Sequence, residues 1–248
     1  MDFELAVKAV LESTKEQRNI NNGYGIGTLS EKTVHAVLKR YYEPNEDYHE
    51  VPINGMVADI YRDGKIIEIQ TRSFNKMRNK LDRFLPEYKV TIVYPIPYTK
   101  NLVWIDKDTG NLSKKRKSPK KGEYFEVFYE LYKIKMYLDN PNLSFRFVLI
   151  NIDEYRLLDG WSTDKKKGSH RYDRIPTELI GEMTIDRIED YVQLLPIELP
   201  DEFTVADYKE VAHISEDCAR LGLHILNHIG VIKNIGKLGR KNLYTNCF

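Results

Sequence analysis

The alternation of apolar and polar residues in the first part of the chain predicts a helix followed by three short strands. A helix is expected over residues 28–43, where four apolar side chains recur at helical spacing, namely Val34, Val37, Leu38 and Tyr41. Three runs rich in Val, Ile and Tyr follow at 48–53, 56–62 and 65–71, separated by Asn-Gly and Asp-Gly pairs. Because these dipeptides favour the tight turns of hairpins, we expect a three-stranded meander.

The next segments predict a second helix and a buried strand. Residues 73–86 place Phe74, Met77, Leu81 and Phe84 on one helical face, and Pro86 ends the pattern. The nearly continuous apolar run at 88–96 is typical of a strand covered on both faces. Further along, periodicity alone predicts helices over 123–138 and 182–195 and a strand over 145–158. The chain is therefore expected to be an α/β protein.

Two prolines within residues 196–200 interrupt the pattern and predict a domain boundary, which divides the chain into 1–198 and 199–248. The second part predicts a helix, a turn, a second helix and a β-hairpin. Ser215 is suited to cap the second helix, and Gly230 is suited to end it.

Composition narrows the class of protein. A chain of 248 residues with 42% hydrophobic and 30% charged residues is ordinary for a folded protein of one or two domains. No apolar run approaches the roughly 20 residues that span a bilayer, and the amino-terminal segment is acidic and amphipathic, so we expect a cytoplasmic protein without a membrane partner. Cys218 and Cys247 form no metal-binding pair, so any bound metal is expected on carboxylates.

Positive charge is concentrated in two runs although the formal net charge is only +1. Residues 113–121 hold six Lys or Arg, and residues 165–174 hold five. Both runs contain Ser or Gly and no apolar period, which predicts loops. Solvated loops and contacts with phosphate groups remain equally open as their role.

Two acidic residues interrupt the apolar strands of the meander. Asp59 lies in the second strand and Glu68 in the third, so a tight turn can bring their carboxylates together. Buried charges require a partner or a cation, and oxygen ligands suit Mg²⁺ or Mn²⁺. Such an ion suits phosphodiester hydrolysis. The alternative is a pair of strand-end charges exposed to water.

The order of helix, three strands, helix and strand over residues 28–96 resembles the restriction-endonuclease-like core of the PD-(D/E)XK nuclease superfamily, a mixed sheet with the order α-β-β-β-α-β. The resemblance implies that Asp59, Glu68 and the carbonyl of Ile69 hold Mg²⁺. It also implies that Gln70, which stands where the family has Lys, positions the attacking water. Ala58 replaces the family's Pro. Lys80, or Lys76 one turn before it, is a candidate substitute for the missing ammonium.

The first predicted helix adds further candidate ligands. Glu31 and His35 are four residues apart on one face, and family members often add a Glu or His from this helix to the metal. Alternatively, Glu31 completes a capping box with Thr28 and His35 borders the core. Glu50, near the end of the first strand, is a further carboxylate candidate.

The carboxy-terminal segment is similar to winged helix-turn-helix domains, in which the second helix enters the major groove and the hairpin contacts phosphates or the minor groove. The resemblance implies five DNA contacts, which are Arg220, His224, Lys237, Arg240 and Lys241. A winged helix used for protein association or domain packing is the alternative.

Together these features predict a metal-dependent nuclease that cleaves double-stranded DNA, with Mg²⁺ or Mn²⁺ as cofactor and a winged helix that delivers the duplex. A homodimer is compatible with this prediction. Because Gln70 replaces the usual Lys, a DNA-binding regulator with an inactive nuclease-like domain is the main alternative. Cleavage of RNA is a further alternative, since no aromatic stacking signature decides between the two nucleic acids.

Overall fold

The computed structural model describes residues 2–20, 33–160 and 168–248, and within them the chain forms a mixed α/β fold. The α-helices of this part of the chain are α1 Phe3–Ile20, α2 Thr33–Tyr42, α3 Arg78–Phe84, α4 Phe128–Leu131, α5 Val205–Val211 and α6 Glu216–His228. Its strands are β1 His49–Ile53, β2 Met56–Arg62, β3 Lys65–Ile69, β4 Lys89–Asp106, β5 Arg116–Lys117, β6 Leu143–Leu158, β7 His170–Ile185, β8 Glu202–Phe203, β9 Ile232–Leu238 and β10 Lys241–Asn246. Short 3-10 helices span Glu46–Tyr48, Phe74–Met77, Tyr124–Val127, Tyr132–Tyr137 and Ile188–Leu194. Among the described residues, no helix combines the length and the apolar character that crossing a membrane requires.

The larger sheet contains seven strands in the order β1-β2-β3-β4-β6-β7, with the short β5 paired to β4. β2 and β3 are antiparallel, whereas β3 and β4 are parallel, so the sheet is mixed. The three-stranded meander is confirmed. Its turns use residues in the left-handed region, with φ of 49° and 73° at Asn54 and Gly55 and of 51° and 75° at Asp63 and Gly64, as tight hairpins require.

The predicted helix after β3 is also confirmed, although its first turn is a 3-10 helix over Phe74–Met77 and α3 begins at Arg78. Its four apolar residues are all buried, with Phe74, Leu81 and Phe84 fully inaccessible and Met77 at 3% exposure. The helix connects β3 to the parallel strand β4, which continues well beyond the predicted 88–96. The first predicted helix is confirmed as α2, while residues 28–32, including Thr28 and Glu31, lie outside the described residues.

Two predicted helices differ from the structure. Residues 123–138 form a 3-10 helix, the single turn of α4 and a second 3-10 helix. Ile134 interrupts the second 3-10 helix, because its φ of −124° and ψ of 24° are not helical. Residues 182–185 belong to β7, and only a 3-10 helix follows at Ile188–Leu194. Met183 and Ile185 are buried while Glu182 is exposed, so the period at this point is that of a strand. The predicted strand over 145–158 is confirmed as β6.

The two basic runs have different structures. Most of 113–121 is irregular, as predicted, but Arg116 and Lys117 form β5 and pair with Leu102 and Asn101. The prediction of a loop over 165–174 is wrong for residues 170–174, which begin β7. The backbone of this part pairs with β6. Two of its charged side chains, Arg171 and Arg174, are paired with Glu154 of that strand, so their charge does not prevent strand formation. Residues 165–167 lie outside the described part of the chain.

The chain is divided into two compact units, each built from three stretches. The first comprises Met1–Val51, Pro95–Gly122 and Val148–Gly181, and the second comprises Pro52–Tyr94, Glu123–Phe147 and Glu182–Phe248. The two units change over at other positions of the chain, the last of them between residues 181 and 182. The boundary that we predict between 198 and 199 stays a prediction.

Within the second unit, the carboxy-terminal segment has the predicted order of helix, helix and hairpin. Ser215 caps α6 by accepting a hydrogen bond from the backbone of Cys218 at 3.2 Å, and Gly230 follows the helix with φ 77°. Strand β10 lies between β8 and β9 in a separate three-stranded sheet. The buried Tyr208 of α5 donates a hydrogen bond to the carbonyl of Leu194 at 2.7 Å, which fixes α5 to the preceding 3-10 helix.

Candidate functional site

Asp59 and Glu68 meet where the backbone pairing of β2 and β3 ends. The paired residues run from Arg62 and Lys65 to Ile60 and Ile67. At the next position side chains replace backbone partners, because the Ile69 N–H donates to Oδ2 of Asp59 at 2.8 Å and the Asp59 N–H donates to Oε1 of Glu68 at 3.4 Å. Each carboxylate thus reaches the backbone of the opposite strand, and the two acidic groups share one small region.

Lys80 adds an ammonium group to this pair. It lies in α3, and its Nζ is 2.6 Å from Oε2 of Glu68. The side chain of Lys80 is 23% exposed, whereas that of Glu68 is 2% exposed, so the ion pair lies at the edge of the core. Lys76, the other candidate substitute for the missing ammonium, is exposed in the 3-10 turn that precedes α3.

The charge on Glu68 is poorly compensated. Burial raises the pKa of Glu68 to about 7, the negative charge of Asp59 adds to this increase, and Lys80 acts in the opposite direction. Near neutral pH Glu68 in the folded protein is therefore protonated to a greater extent than an exposed glutamate. A divalent cation beside both carboxylates would supply the positive charge that Lys80 alone does not, and it would favour the ionised form of Glu68.

Gln70 follows the end of β3. Its N–H donates to the carbonyl of Val93 at 2.9 Å, which extends the parallel pairing, and its side-chain Oε1 accepts from the N–H of Arg72 at 3.0 Å. Within the described part of the chain, the side chain of Gln70 bonds to this local turn and to neither acidic residue. Ile69, between Glu68 and Gln70, is 4% exposed, and its N–H is held by Asp59.

The other candidate ligands belong to other parts of the chain. Glu31 lies outside the described residues, and His35 is half-buried on α2, in the first compact unit. Glu50 instead pairs with the buried Lys39, whose Nζ lies 2.9 Å from its Oε1. Across residues 2–20, 33–160 and 168–248, no group of three or more His, Cys, Asp or Glu side chains is arranged to hold a metal ion. Asp59 and Glu68 are the two candidate ligands that hydrogen bonds between β2 and β3 bring together.

The two predicted DNA contacts on α6 both have partners within the protein. The guanidinium of Arg220 bonds to Glu216 one turn earlier and stays exposed. Nε2 of His224 lies 3.1 Å from Nζ of Lys135, and its ring is 5.9 Å from that of Tyr132. Burial lowers the pKa of His224, and the charge of Lys135 lowers it further.

The three predicted contacts on the hairpin are different. Lys237, Arg240 and Lys241 are all exposed around the turn between β9 and β10, where Gly239 has φ 63°. Asn242 is the register partner of Lys237, and Leu238 is that of Lys241, so the hairpin fixes the spacing of the three charges. Their exposure allows contact with an anionic partner.

Comparison with known families gives one match that covers most of the chain. The family described as "Domain of unknown function (DUF8091)" matches residues 32–186. The chain belongs to the DUF8091 family. It is also 29% identical over 226 residues to an "Uncharacterized protein" of Treponema pallidum (strain Nichols), covering 88% of this chain and 86% of that relative. No solved structure matches the chain.

The DUF8091 match encloses the whole acidic site. Asp59, Glu68, Gln70 and Lys80 all lie within residues 32–186, whereas α5, α6 and the basic hairpin lie after them. The candidate cation site is thus part of the family's own region, and the candidate DNA contacts are carried by a segment outside it.

One charged cluster of the DUF8091 region was missed by our sequence analysis. Glu154 of β6 is 2% exposed and lies among Arg156, Arg171 and Arg174. The available signal was the one that identified Asp59 and Glu68, an acidic residue inside an apolar strand. Its partners come from β6 itself and from β7, whose pairing the sequence alone does not reveal.

Proposed function

We propose that the protein is a metal-dependent nuclease that hydrolyses phosphodiester bonds in double-stranded DNA, with Asp59 and Glu68 as ligands of Mg²⁺ or Mn²⁺. The observation that carries this proposal is the meeting of the two carboxylates at the point where β2 and β3 stop pairing. Acids with strongly shifted pKa values cluster at functional sites, and Glu68, with a pKa of about 7 beside a second acid, fits this pattern.

The residues fit a hard divalent cation. Both side chains offer oxygen ligands, and Mg²⁺ commonly binds through one or two carboxylates while it keeps several waters. When bound, the ion would activate a water molecule and stabilise the charge that develops on the phosphate. Ile69 is positioned by its hydrogen bond to Asp59, which fits the expectation that its carbonyl completes the ligand set.

Lys80 is the residue that we assign to the missing ammonium. Its contact with Glu68 holds the positive charge beside the acidic pair, where it can stabilise the transition state electrostatically. Gln70 is engaged with the turn at Arg72, which favours Lys80 over Gln70 as the group that assists the reaction. The side-chain oxygen of Gln70 would then hold the backbone at Arg72, just after the proposed metal ligands. Its amide nitrogen would be able to donate a hydrogen bond to the attacking water.

The proposed fold assignments have separate support. A restriction-endonuclease-like core is supported by the order of α2, β1, β2, β3, α3 and β4 and by the parallel pairing of β3 with β4. A winged helix is supported by the sheet order β8-β10-β9, with α5 and α6 between β8 and β9. The exposed charges of Lys237, Arg240 and Lys241 suit phosphate contacts on a duplex.

A cleavage assay tests the proposal directly. Labelled double-stranded DNA, single-stranded DNA and RNA would be incubated with the protein in Mg²⁺, Mn²⁺ or EDTA. We expect cleavage of the duplex in either metal, none in EDTA, and none by Asp59→Asn in any buffer. Metal-independent cleavage, or full activity of Asp59→Asn, would reject the site, and preferential cleavage of RNA would change the substrate.

A DNA-binding regulator that no longer cleaves is a second candidate. It is favoured by the ion pair between Lys80 and Glu68, which partly balances the site without a metal, and by the engagement of Gln70 with Arg72. This alternative predicts that the intact protein binds duplex DNA with the same affinity in Mg²⁺ and EDTA and cleaves none of the three nucleic acids.

A further inference from the structure

Two adjacent buried acidic residues on β6 have very different surroundings. Asp153 is 5% exposed, and one ammonium balances it, because Nζ of Lys115 lies 2.5 Å from its Oδ2. The amide of Asn101 donates to its Oδ1 at 2.9 Å. Asp153 therefore has the single cation and the hydrogen bond that a buried carboxylate needs.

Glu154 has several cations instead of one. Nη1 of Arg156 donates to its Oε1 at 2.8 Å, Nε of Arg174 donates to its Oε2 at 3.0 Å, and Nε of Arg171 lies 3.6 Å from the same oxygen. The charge of Lys100 also acts on this carboxylate. We call Lys100, Glu154, Arg156, Arg171 and Arg174 the Glu154 cluster. Four cationic side chains thus share one carboxylate, and the cluster carries excess positive charge.

Neutralising Glu154 does not explain this excess. Arg156 has a structural role, because its Nε and Nη2 donate to Oγ and the carbonyl of Ser169, each at 3.0 Å. Arg174 uses its Nε for Glu154, and its two terminal nitrogens have no partner among the described residues. Additional cations beside a carboxylate that is already paired repel one another, which is unfavourable unless another anion is present.

Lys100 shows the effect of this repulsion. Its pKa is lowered by burial first and then by Arg174, Arg171 and Lys120, despite the opposite effect of Glu154. Within the part of the chain that the structure describes, its ammonium makes no hydrogen bond or ion pair. An anion placed near Lys100 and Arg174 would accept hydrogen bonds from their donors that have no partner among the described residues, and it would offset the repulsion.

The cluster is open to a ligand on its cationic side. The side chains of Arg171 and Arg174 are 42% and 23% exposed, whereas that of Glu154 is 3% exposed. Lys100 is half-buried on β4, two residues after Tyr98 and therefore on the same side of the strand. Nζ of Lys121 lies 4.3 Å from the centre of the Tyr98 ring, so positive charge continues along β4 beyond the cluster.

We propose that the Glu154 cluster binds phosphate groups of a nucleic-acid backbone. Guanidinium groups present planar pairs of N–H donors that match phosphate oxygens, and a nearby ammonium adds charge without a geometric demand. The choice of a phosphodiester as the anion rests on the proposed function, whereas the excess of cations does not. The cluster would be a binding site additional to the basic hairpin.

Binding in EDTA separates this proposal from the proposed cleavage. The affinity of the full chain would be measured by fluorescence anisotropy with a labelled oligonucleotide as single-stranded DNA, as duplex DNA and as RNA. The variant Lys100→Gln/Arg171→Gln removes two charges of the cluster and keeps Glu154 paired with Arg156 and Arg174. Its matched control is Lys8→Gln/Lys107→Gln, which removes two exposed charges elsewhere in the first compact unit.

We expect the cluster variant to lose affinity at least tenfold for the preferred probe. The slope of log affinity against log salt should become shallower by roughly 1.8 for a duplex or 1.4 for a single strand, since each phosphate contact contributes about 0.9 or 0.7. The control should keep the wild-type slope. The probe with the largest loss identifies the form of nucleic acid that the cluster contacts.

Several outcomes would overturn the proposal. Unchanged affinity and salt dependence in the cluster variant would reject the cluster as a binding site. If Lys237→Ala/Arg240→Ala still weakened binding in that case, the proposal that the hairpin binds DNA would stand. Failure of the intact protein to bind any probe would reject both proposals. The charge-preserving variant Lys100→Arg/Arg171→Lys should keep the salt slope, and a slope as shallow as that of the glutamine variant would indicate a structural effect instead.

Discussion

Nζ of Lys80 lies 2.6 Å from Oε2 of Glu68, and the carboxylate that it contacts is almost completely buried beside Asp59. The lysine comes from the helix after the strand that carries Glu68, so its charge reaches the acidic pair from a different element than Gln70. This relationship links the stability of the fold to the proposed chemistry, because the same carboxylate binds the ammonium and would bind the metal.

We expect Lys80→Met to lower the cleavage rate by about 100-fold, the usual loss when one electrostatic donor to a transition state is removed. Glu68 would lose its cationic partner and hold its proton more tightly, so the fold should persist. Single-turnover cleavage of duplex DNA measures the effect. Lys76→Met, at the exposed position four residues earlier, should cleave at the wild-type rate, and equal rates for both variants would remove Lys80 from the mechanism.

Glu68→Gln should separate stability from activity. Burial and the charge of Asp59 make the ionised form of Glu68 unfavourable, so a neutral amide of the same size should leave the free energy of unfolding unchanged or raise it by about 1 kcal/mol at pH 8. Cleavage should be lost. Urea denaturation in EDTA gives the stability, and a variant that is clearly less stable than wild type would show that the ionised Glu68 holds the fold together.

The pH dependence of stability follows from the same residue. The pKa of Glu68 is about 7 in the folded protein and 4.5 in its ordinary state, so between these values the folded chain binds a proton that the unfolded chain releases. Without divalent metal, the contribution of Glu68 to stability is therefore greatest at low pH and is lost as pH rises from about 4.5 to about 7. Glu68→Gln should lack this component.

The comparison requires denaturation of wild type and Glu68→Gln in EDTA at several pH values across that window. Parallel stability curves would contradict the assigned pKa. Divalent metal competes with the proton, so the affinity for Mg²⁺, measured by calorimetry, should rise with pH until Glu68 is fully ionised and then become constant.

Removing charge from the hairpin should weaken DNA binding without affecting the chemistry. Lys237→Ala/Arg240→Ala is expected to lower the affinity for duplex DNA about equally for all sequences and to reduce the salt slope by roughly 1.8. Gel-shift titration at several salt concentrations measures both quantities. Lys65→Ala, an exposed lysine at the end of β3 away from Glu68, serves as the control. An unchanged titration for the double variant would exclude the hairpin from DNA binding.

The packing of α6 on α4 gives a test of the fold. A Cβ added to Gly222 would lie 2.7 Å from the ring of Phe128, which is fully buried. Alanine in a helix is usually about 1 kcal/mol more favourable than glycine, but overpacking costs about 1–3 kcal/mol, so Gly222→Ala should be destabilising overall. Urea denaturation of Gly222→Ala, Phe128→Leu and the double variant should show that the smaller side chain relieves the effect. Additive changes would indicate that the two residues do not clash.

The acidic pair could be predicted because local rules determine most of its geometry. Asn54-Gly55 and Asp63-Gly64 specify tight turns, and a hairpin of known register places position 59 opposite position 68. The choice between Lys76 and Lys80 could not be made in the same way. The two lysines are four residues apart on one predicted helix. In the structure the first turn is a 3-10 helix in which Lys76 is exposed, and Lys80 contacts Glu68 from α3.

One source of error is that short apolar runs fit two periods. Residues 182–195 were predicted as one helix, but pairing extends β7 as far as Ile185 and leaves only a 3-10 turn. The Glu154 cluster could not be predicted either, because its residues come from β4, β6 and β7 and meet only through pairing between distant segments. His224 was chosen for its place on α6, and its contacts with Lys135 and Tyr132 depend on the same distant packing.

The interleaving of the two compact units along the chain limits how the molecule can be divided. Deleting everything after residue 198 would remove α6 from its packing against Phe128. It would also remove the Cys218 thiol, which donates to the carbonyl of Phe125, and would expose apolar surface on the remaining part of that unit. Residues after 198 thus contribute packing to the second compact unit. The proposed recognition and the proposed hydrolysis are therefore better separated by point substitution than by truncation.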